Sequence, residues 1–381
     1  MAAAPSRLTG LRLVDPQRGD GWTHEQVRAA APAPLRSSPR PLEVEIAGAG
    51  RMWTLSEWWE VTHSTSLVVI DRGTVVLEWY ADDVAASTAL LGASMTKSVL
   101  ATLVGTALRG GALRLDDPVV DHVPELADGG YARCTVRHLL TMTTGVDWVE
   151  DHRNPESAAS RLLAGFAAAA GDSRDRLLEI APAEEPGSRF EYCTADSQVL
   201  DWVRERATGT PYAAALGELW ATLGCEHDAW LATDAPAGVA LAGGGLAASA
   251  RDWARVAMLQ ATGVSVRGDR LLDDGWVDDS CAPSAPFLAP GRLPSSITTH
   301  AGFGYHWWPL DPRGRRVTAD GSRGQFAYVD RDLDVVVVKT SRWPYDDWLL
   351  DRQLRDLSYL ALPLIARSAA GSAGTTTTKE A

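Results

Sequence analysis

The sequence predicts an α/β fold in which an antiparallel sheet, built from both ends of the chain, is flanked by helices and interrupted by an inserted, mainly helical domain. Three observations point there. Strand signals lie on either side of a short turn in SLVVIDRGTVVLEWYA, and they return from Gly302 onward in FGYHWWPL, GQFAYVDRD and DVVVVKTS. Between these regions, from about residue 131 to 285, the apolar spacing is helical. The 381 residues suffice to bury a core without disulfide or metal staples.

Residues 1–50 are rich in Pro, Arg and Ala with little periodicity, and are expected to wrap the surface as an irregular arm. Thr54 ahead of Leu55, Trp58, Trp59 and Val61 reads as the cap of a short helix. The two runs around Asp71-Arg72-Gly73 read as a hairpin. An apolar helix follows Ser94 and stops at Gly110-Gly111; the proline-bearing connection beyond it carries Asp116 and Asp117, which suit turn capping. Helical spacing marks 136–142, 158–170, 174–180, 197–207 and 250–260, with no sustained strand alternation among them. A last helix is expected from about 346 to 366, and a disordered tail after it. The expected division is therefore an arm (1–50), an α/β domain (51–130 with 286–367), a helical domain (131–285) and a tail (368–381).

The net charge is −13 and basic residues form only short pairs such as Arg315-Arg316, which argues against nucleic acid or an anionic membrane as partner. A small or neutral partner is expected instead. Cys134, Cys193, Cys225 and Cys281 are scattered, without a C-x-x-C pair or a histidine at zinc-ligand spacing. The first residues lack an apolar signal-peptide core, and no run of about 18 apolar residues occurs anywhere. A cytoplasmic protein with no membrane segment is the expectation.

The chemistry concentrates in LLGASMTKSVLATLVGTALR, where Ser94 and Lys97 stand three apart at the start of the apolar helix. That spacing projects both side chains from one face of the first turn. A serine hydroxyl needs a neighbour to take its proton, and a lysine serves once burial lowers its pKa, whereas arginine cannot. The chain has 36 basic residues, yet only Lys97, Lys339 and Lys379 are lysines. The plain alternative is a polar helix start with Ser94 near the cap and Lys97 in water.

With these residues in place, LLGASMTKSVLATLVGTALRGGALRLDDPV, RHLLTMTTGVDW, FEYCTADSQVL, GGLAASARDWARVAML, GDRLLDDGW, FGYHWW and ADGSRGQFAYVDRDLDVVVV resemble successive blocks of the serine β-lactamase-like hydrolases. The likeness is to the 6-aminohexanoate-oligomer (nylon-oligomer) hydrolases and related carboxylesterases, which share the class C β-lactamase fold. It spans roughly residues 60 to 365 and implies a β-lactamase/transpeptidase-like architecture. By this resemblance Ser94 matches the family nucleophile, Lys97 its partner base and Tyr192 the tyrosine of the Y-x-N motif, which protonates the leaving group. Thr194 takes the third place of that motif, where a hydroxyl can bond but lacks an amide's second donor. The segment from Ala319 to Gln325 aligns with the K-T-G motif of true β-lactamases. Alanine stands there in place of the lysine, which argues against a dedicated β-lactamase.

The same alignment puts the backbone amides of Ser94 and Ser322 in an oxyanion hole, with Gly321 and Gly324 leaving room. Lys339-Thr340-Ser341 imitates K-T-G but ends a strand instead of opening one, and reads as a strand-end charge. Glu150-Asp151-His152 stands where the nylon-oligomer hydrolases carry E-D-Y; His152 could donate a hydrogen bond in the tyrosine's place, and Arg323 could attract a substrate carboxylate. Trp148, Trp307 and Trp343 fall in blocks suited to an apolar acyl chain. The resemblance implies a serine hydrolase that cleaves an ester or linear amide through an acyl-enzyme, with no cofactor, a small-molecule substrate and, by family likeness, a homodimer. No G-x-S-x-G elbow exists for a Ser-His-Asp triad. A non-catalytic ligand-binding or scaffold protein on the same fold, or a D-amino-acid peptidase, stays open as an alternative.

Overall fold

The computed structural model describes residues 22–152, 154–289, 300–343 and 348–371. Its centre is a seven-stranded sheet in the spatial order Trp308–Pro309, Arg316–Gly321, Gln325–Asp330, Val335–Ser341, Ser64–Asp71, Thr74–Tyr80, Arg36–Ser37. Neighbours are antiparallel except the last pair. The predicted hairpin and the late strands thus meet side by side, with Val338 opposite Val68 and Val336 opposite Ile70. Both central strands are buried along their whole length. They read as continuous apolar runs because both faces are covered.

On one face Val68, Ile70, Val336 and Val338 join a large core shared with the helices. On the other, Leu67, Val69, Val335 and Val337 pack with Trp58, Leu357 and Ile365 from the helices Leu55–Val61 and Trp348–Gly371. Each fully buried Val, Leu or Ile contributes about 1.5–3 kcal/mol, so this two-sided burial outweighs the smaller differences in strand propensity. Leu55–Val61 starts where predicted. The Thr54 hydroxyl accepts from Glu57 N at 3.3 Å while Thr54 N donates to the Glu57 carboxylate at 2.8 Å, a complete capping box.

Helices form at Val136–Leu140, Ala158–Ala167, Ser173–Leu178, Thr194–Thr208 and Ala250–Thr262, as periodicity predicts. Tyr212–Leu223 and Asp274–Cys281 are further helices that the periodicity did not mark. The large core runs from Val99 through Leu139, Val199 and Trp253 to Val336. Residues 131–285 therefore share one apolar interior with the sheet.

Four expectations are corrected. Residues 22–50 are no irregular arm: Thr23–Val27 pairs with Ala229–Thr233, Arg36–Ser37 joins the main sheet, and Glu45–Gly48 pairs with Arg51–Thr54. The middle segment is not strand-free either, since Ala229–Thr233 and Leu246–Ala248 lie between Thr23–Val27 and Leu90–Leu91 in a four-stranded sheet. The last helix continues to Gly371, past the expected start of the tail at 368; residues 1–21 and 372–381 lie outside the described residues. Finally, Lys339 is no solvated strand-end charge. It is fully buried between Phe326 and Leu67 on the neighbouring strands, with its ammonium nitrogen 5.5 Å from the ring centres of Trp58 and Trp343.

The four cysteines are buried free thiols. Among the described residues, no helix is long and apolar enough to cross a membrane.

Candidate active site

Ser94 sits where a tight loop becomes the helix Met95–Arg109. The loop is drawn in on both sides. Gly92 N donates to Leu246 O at 2.9 Å, and Ala93 adopts φ of 47°, the left-handed region that a residue with a Cβ seldom occupies. A Cβ on Gly321 would lie 2.0 Å from Gly92 O, so only glycine lets the strand Arg316–Gly321 approach this close. The Ser94 hydroxyl makes no capping bond to its own helix. It remains available to the groups around it.

Lys97 is buried one turn further on, and its Nζ lies 2.7 Å from Gly243 O, 3.1 Å from Thr194 Oγ1 and 3.3 Å from Ser94 Oγ. Burial pushes its pKa down to about 8, while Glu150 and Cys193 pull the other way. The reading of Lys97 as a solvated surface residue is thereby excluded. Tyr192 lies across the amine, with Nζ 5.0 Å from its ring centre, and stacks on Trp308 at 5.8 Å. Burial and the Glu150 charge raise the Tyr192 phenol above its ordinary value, against a hydrogen bond with Ser94 that lowers it. The phenol stays protonated at neutral pH and can give up its proton only to a strongly basic atom.

Behind Lys97 lies a carboxylate that sequence reasoning quoted without assigning it a part. Glu150 Oε2 accepts from Trp148 Nε1 at 2.7 Å and from Thr194 N at 2.9 Å, while Oε1 accepts from Thr194 Oγ1 at 2.5 Å and faces His152 Nε2 at 2.9 Å. Burial alone would raise its pKa. The His152 hydrogen bond and the nearby Lys97 charge reverse this and hold it down at about 2. Its seat at the first residue of Thr194–Thr208 also places the anion at a helix N-terminus. Two residues on, Asp196 accepts from Tyr131 and Thr144, and burial pushes its carboxyl up to about 7.

The ionised Glu150 fixes the His152 tautomer. Nε2 must carry the proton that it donates, so in the neutral ring Nδ1 is a bare acceptor, and no partner for it is found among the described residues. In that neutral form Nδ1 offers a leaving-group nitrogen an acceptor where the family tyrosine offers a donor, whereas a protonated ring donates from both nitrogens.

Ser94, Tyr192, His152, Gly321 and Ser322 all line one cavity of about 290 Å³. Lys97 and Thr194 lie beneath its floor, joined to Ser94 and Glu150 by the contacts above. Arg323 does not line it. Of the tryptophans singled out, Trp343 lines the cavity, Trp307 is enclosed in the large core, and Trp148 stands behind Glu150; Trp308 takes the place expected of its neighbour.

The far wall holds a cluster that sequence reasoning missed. His300 Nε2 lies 2.8 Å from Asp320 Oδ2 and 2.6 Å from the Tyr359 hydroxyl, and the His300 ring stacks on Trp308 at 4.2 Å. Asp320 lies in the quoted block beside Gly321, but its histidine and tyrosine come from separate parts of the chain. A larger cavity, about 450 Å³ between Trp148 and Ile180, contains neither Ser94 nor Tyr192. It is not the site of this chemistry.

Comparison with known proteins shows the family and the fold. The family model described as Beta-lactamase matches residues 59–359. The 6-aminohexanoate-dimer hydrolase of Paenarthrobacter ureafaciens is 30% identical over 305 residues, 78% of this chain and 78% of that protein. Esterase EstB of Burkholderia gladioli is 36% identical over 135 residues, 33% of this chain and 34% of its own. Among solved structures, a candidate 6-aminohexanoate-dimer hydrolase from Bacillus anthracis superposes with a TM-score of 0.76 at 20% identity, covering 91% of each chain, which shows the shared fold. With the match covering residues 59–359, well over half of its length, the chain belongs to the beta-lactamase family.

Proposed function

We propose that this chain is a serine hydrolase that cleaves short-chain esters, and linear amides more slowly, through an acyl-enzyme on Ser94. The observation that carries the reading is the contact of a buried Lys97, its pKa lowered to about 8, with the Ser94 hydroxyl. At pH 7 roughly a tenth of the molecules then hold the neutral amine, against well under one in a thousand for an ordinary lysine. The amine takes the Ser94 proton as the oxygen attacks the substrate carbonyl. The Ser94 and Ser322 amides hold the oxyanion, Tyr192 protonates the leaving group, and water releases the acyl chain.

The neutral tautomer of His152 supports a preference for esters. An amine leaving group must be protonated or hydrogen-bonded to depart, and with Nδ1 of the neutral ring an acceptor, Tyr192 is left as the donor to it. The relatives support both chemistries, one being a dimer hydrolase of an amide and the other an esterase. Aromatic walls from Trp308, Phe326 and Trp343 around about 290 Å³ suit a short apolar acyl group. Four free thiols support a reducing, cytoplasmic setting.

The test is hydrolysis of p-nitrophenyl acetate and butyrate, 6-aminohexanoate dimer and a chromogenic cephalosporin by wild type, Ser94→Ala and Lys97→Ala. Ester turnover that both substitutions abolish, with slow amide and no cephalosporin turnover, is expected. Equal inertness of wild type and Ser94→Ala, together with no labelling by a serine-directed phosphonate, would replace this reading with a scaffold or ligand-binding role.

A further inference from the structure

A lysine base faces a directional difficulty that its pKa does not describe. A neutral amine has two N–H donors and one lone pair, and it accepts the serine proton only if that lone pair faces the serine. Three groups surround Lys97 Nζ, so the question is which contact each hydrogen takes. Gly243 O at 2.7 Å can only accept, which settles one N–H. Thr194 Oγ1 at 3.1 Å could accept the second N–H or donate its own proton into the lone pair. The second arrangement would leave Ser94 without a base.

We infer that Glu150 and Thr194 are positioning residues that aim the Lys97 lone pair at Ser94. Glu150 Oε1, ionised and able only to accept, lies 2.5 Å from Thr194 Oγ1. The single threonine proton is thereby committed to Glu150, and the hydroxyl can only accept from Lys97. With both N–H groups assigned, the remaining tetrahedral position of Nζ faces Ser94 Oγ at 3.3 Å. In the transfer the Ser94 O–H bond breaks, its proton forms the third N–H bond of Lys97, and the oxygen pair attacks the carbonyl carbon. His152 Nε2, Trp148 Nε1 and Thr194 N occupy the other positions on Glu150, so the carboxylate is itself held in one orientation. This is how threonine serves where the family motif has asparagine. The hydroxyl alone has no fixed direction, and Glu150 gives it one.

The inference rests on Ser94 being the nucleophile, so its test separates the two. The readout is the rate at which a fluorophosphonate labels Ser94, followed from pH 6 to 10, which requires no knowledge of the substrate. Groups facing Lys97 that enter this profile are Glu150, Cys193 and Tyr192 on the cavity side and His306, whose Nδ1 lies 3.1 Å from Lys97 O, on the other. Glu150 in turn faces His152 and Asp196.

Glu150→Gln sets amide hydrogens against donors and frees the Thr194 hydroxyl to reverse. It is expected to lower the high-pH plateau by about 30- to 100-fold, within the usual range for loss of general-base action. The midpoint should also move to lower pH, because the anion that favours the ammonium form is gone. Thr194→Val should lose about tenfold, and Thr194→Ser should recover most of that. The decisive variant is the double one: Glu150→Gln with Thr194→Val removes the misdirected donor and should label at least as fast as Glu150→Gln alone. A merely structural role predicts additive losses in the double variant, and that result overturns the inference. If wild type is not labelled at all, the catalytic reading and this inference fall together. If wild type is labelled and all variants match it, only the inference falls.

Discussion

Two lysines are buried among the described residues, and they have been given opposite surroundings. Lys97 lies beneath a cavity among a carbonyl, two hydroxyls and a nearby carboxylate. Lys339 lies in the smaller core among Trp58, Phe326 and Trp343, donating to Ser341 Oγ and reaching Thr62 O at 3.5 Å. Burial lowers both pKa values, Lys339 well below its ordinary value and Lys97 only to about 8. Burial alone makes a lysine neutral and inert. An anion within reach brings it back into the range where it can exchange a proton at working pH.

The largest separation between the two should come from removing each amine. Lys97→Met is expected to lower kcat/KM for p-nitrophenyl butyrate by roughly a thousandfold or more, the scale of a lost general base. Retention of even a tenth of the activity would break the contrast. Lys339→Met should leave kcat/KM within about threefold and hold or raise stability by about 1–3 kcal/mol at pH 7, because an apolar chain replaces an amine that loses its hydration on folding. Urea unfolding measures it, and a clear destabilisation would mean that the amine itself holds the core.

The pH dependence sharpens the same comparison. A lysine whose folded pKa is depressed binds a proton in the unfolded chain that it lacks in the folded one, so stability rises with pH until the unfolded value near 10.4 is passed. Lys339 should contribute up to about 1.4 kcal/mol per pH unit across pH 7 to 10. Lys97 joins from about pH 8, where half of its folded form has lost the proton. The slope between pH 7 and 8 should therefore be reduced in Lys339→Met and persist in Lys97→Met. Both stand on the opposing background of Asp196, whose carboxyl, raised to about 7, loses its share of stability as pH rises through that value. Activity should behave in reverse: the acidic limb of kcat/KM rises through about pH 8 with Lys97 and does not move in Lys339→Met. The smallest expected effect is that of Ser341→Asp, which gives Lys339 an anion and should flatten its share of the stability slope by half or more, an outcome read from the same unfolding series.

The contrast also shows what was legible in the sequence. Ser94 and Lys97 stand in one helical turn, so their meeting followed from spacing, and the central strands announced themselves as apolar runs. Lys339 was misread because the residues that enclose it, Trp58 and the last helix, come from remote parts of the chain. Its local context, a polar Thr-Ser after four valines, looks the same whether the strand end is wet or dry. Glu150 was in view but had no visible part, since its significance depends on Thr194, 44 residues later. Thr23–Val27 was missed for a similar reason: a five-residue strand whose partner is Ala229–Thr233 leaves no local period.

That strand has a consequence for how the polypeptide can be made. It covers one side of Ala229–Thr233, whose other neighbour, Leu246–Ala248, leads to Leu90–Leu91 just ahead of the serine loop. Synthesis restarting at the internal Met52 would give a product that retains Ser94, Lys97 and Tyr192 but lacks this cover. Ala229–Thr233 would then be an open template for other chains to pair with. Such shortened products should accumulate in inclusion bodies even though every chemical group is present, so the opening residues act as a safeguard against self-association.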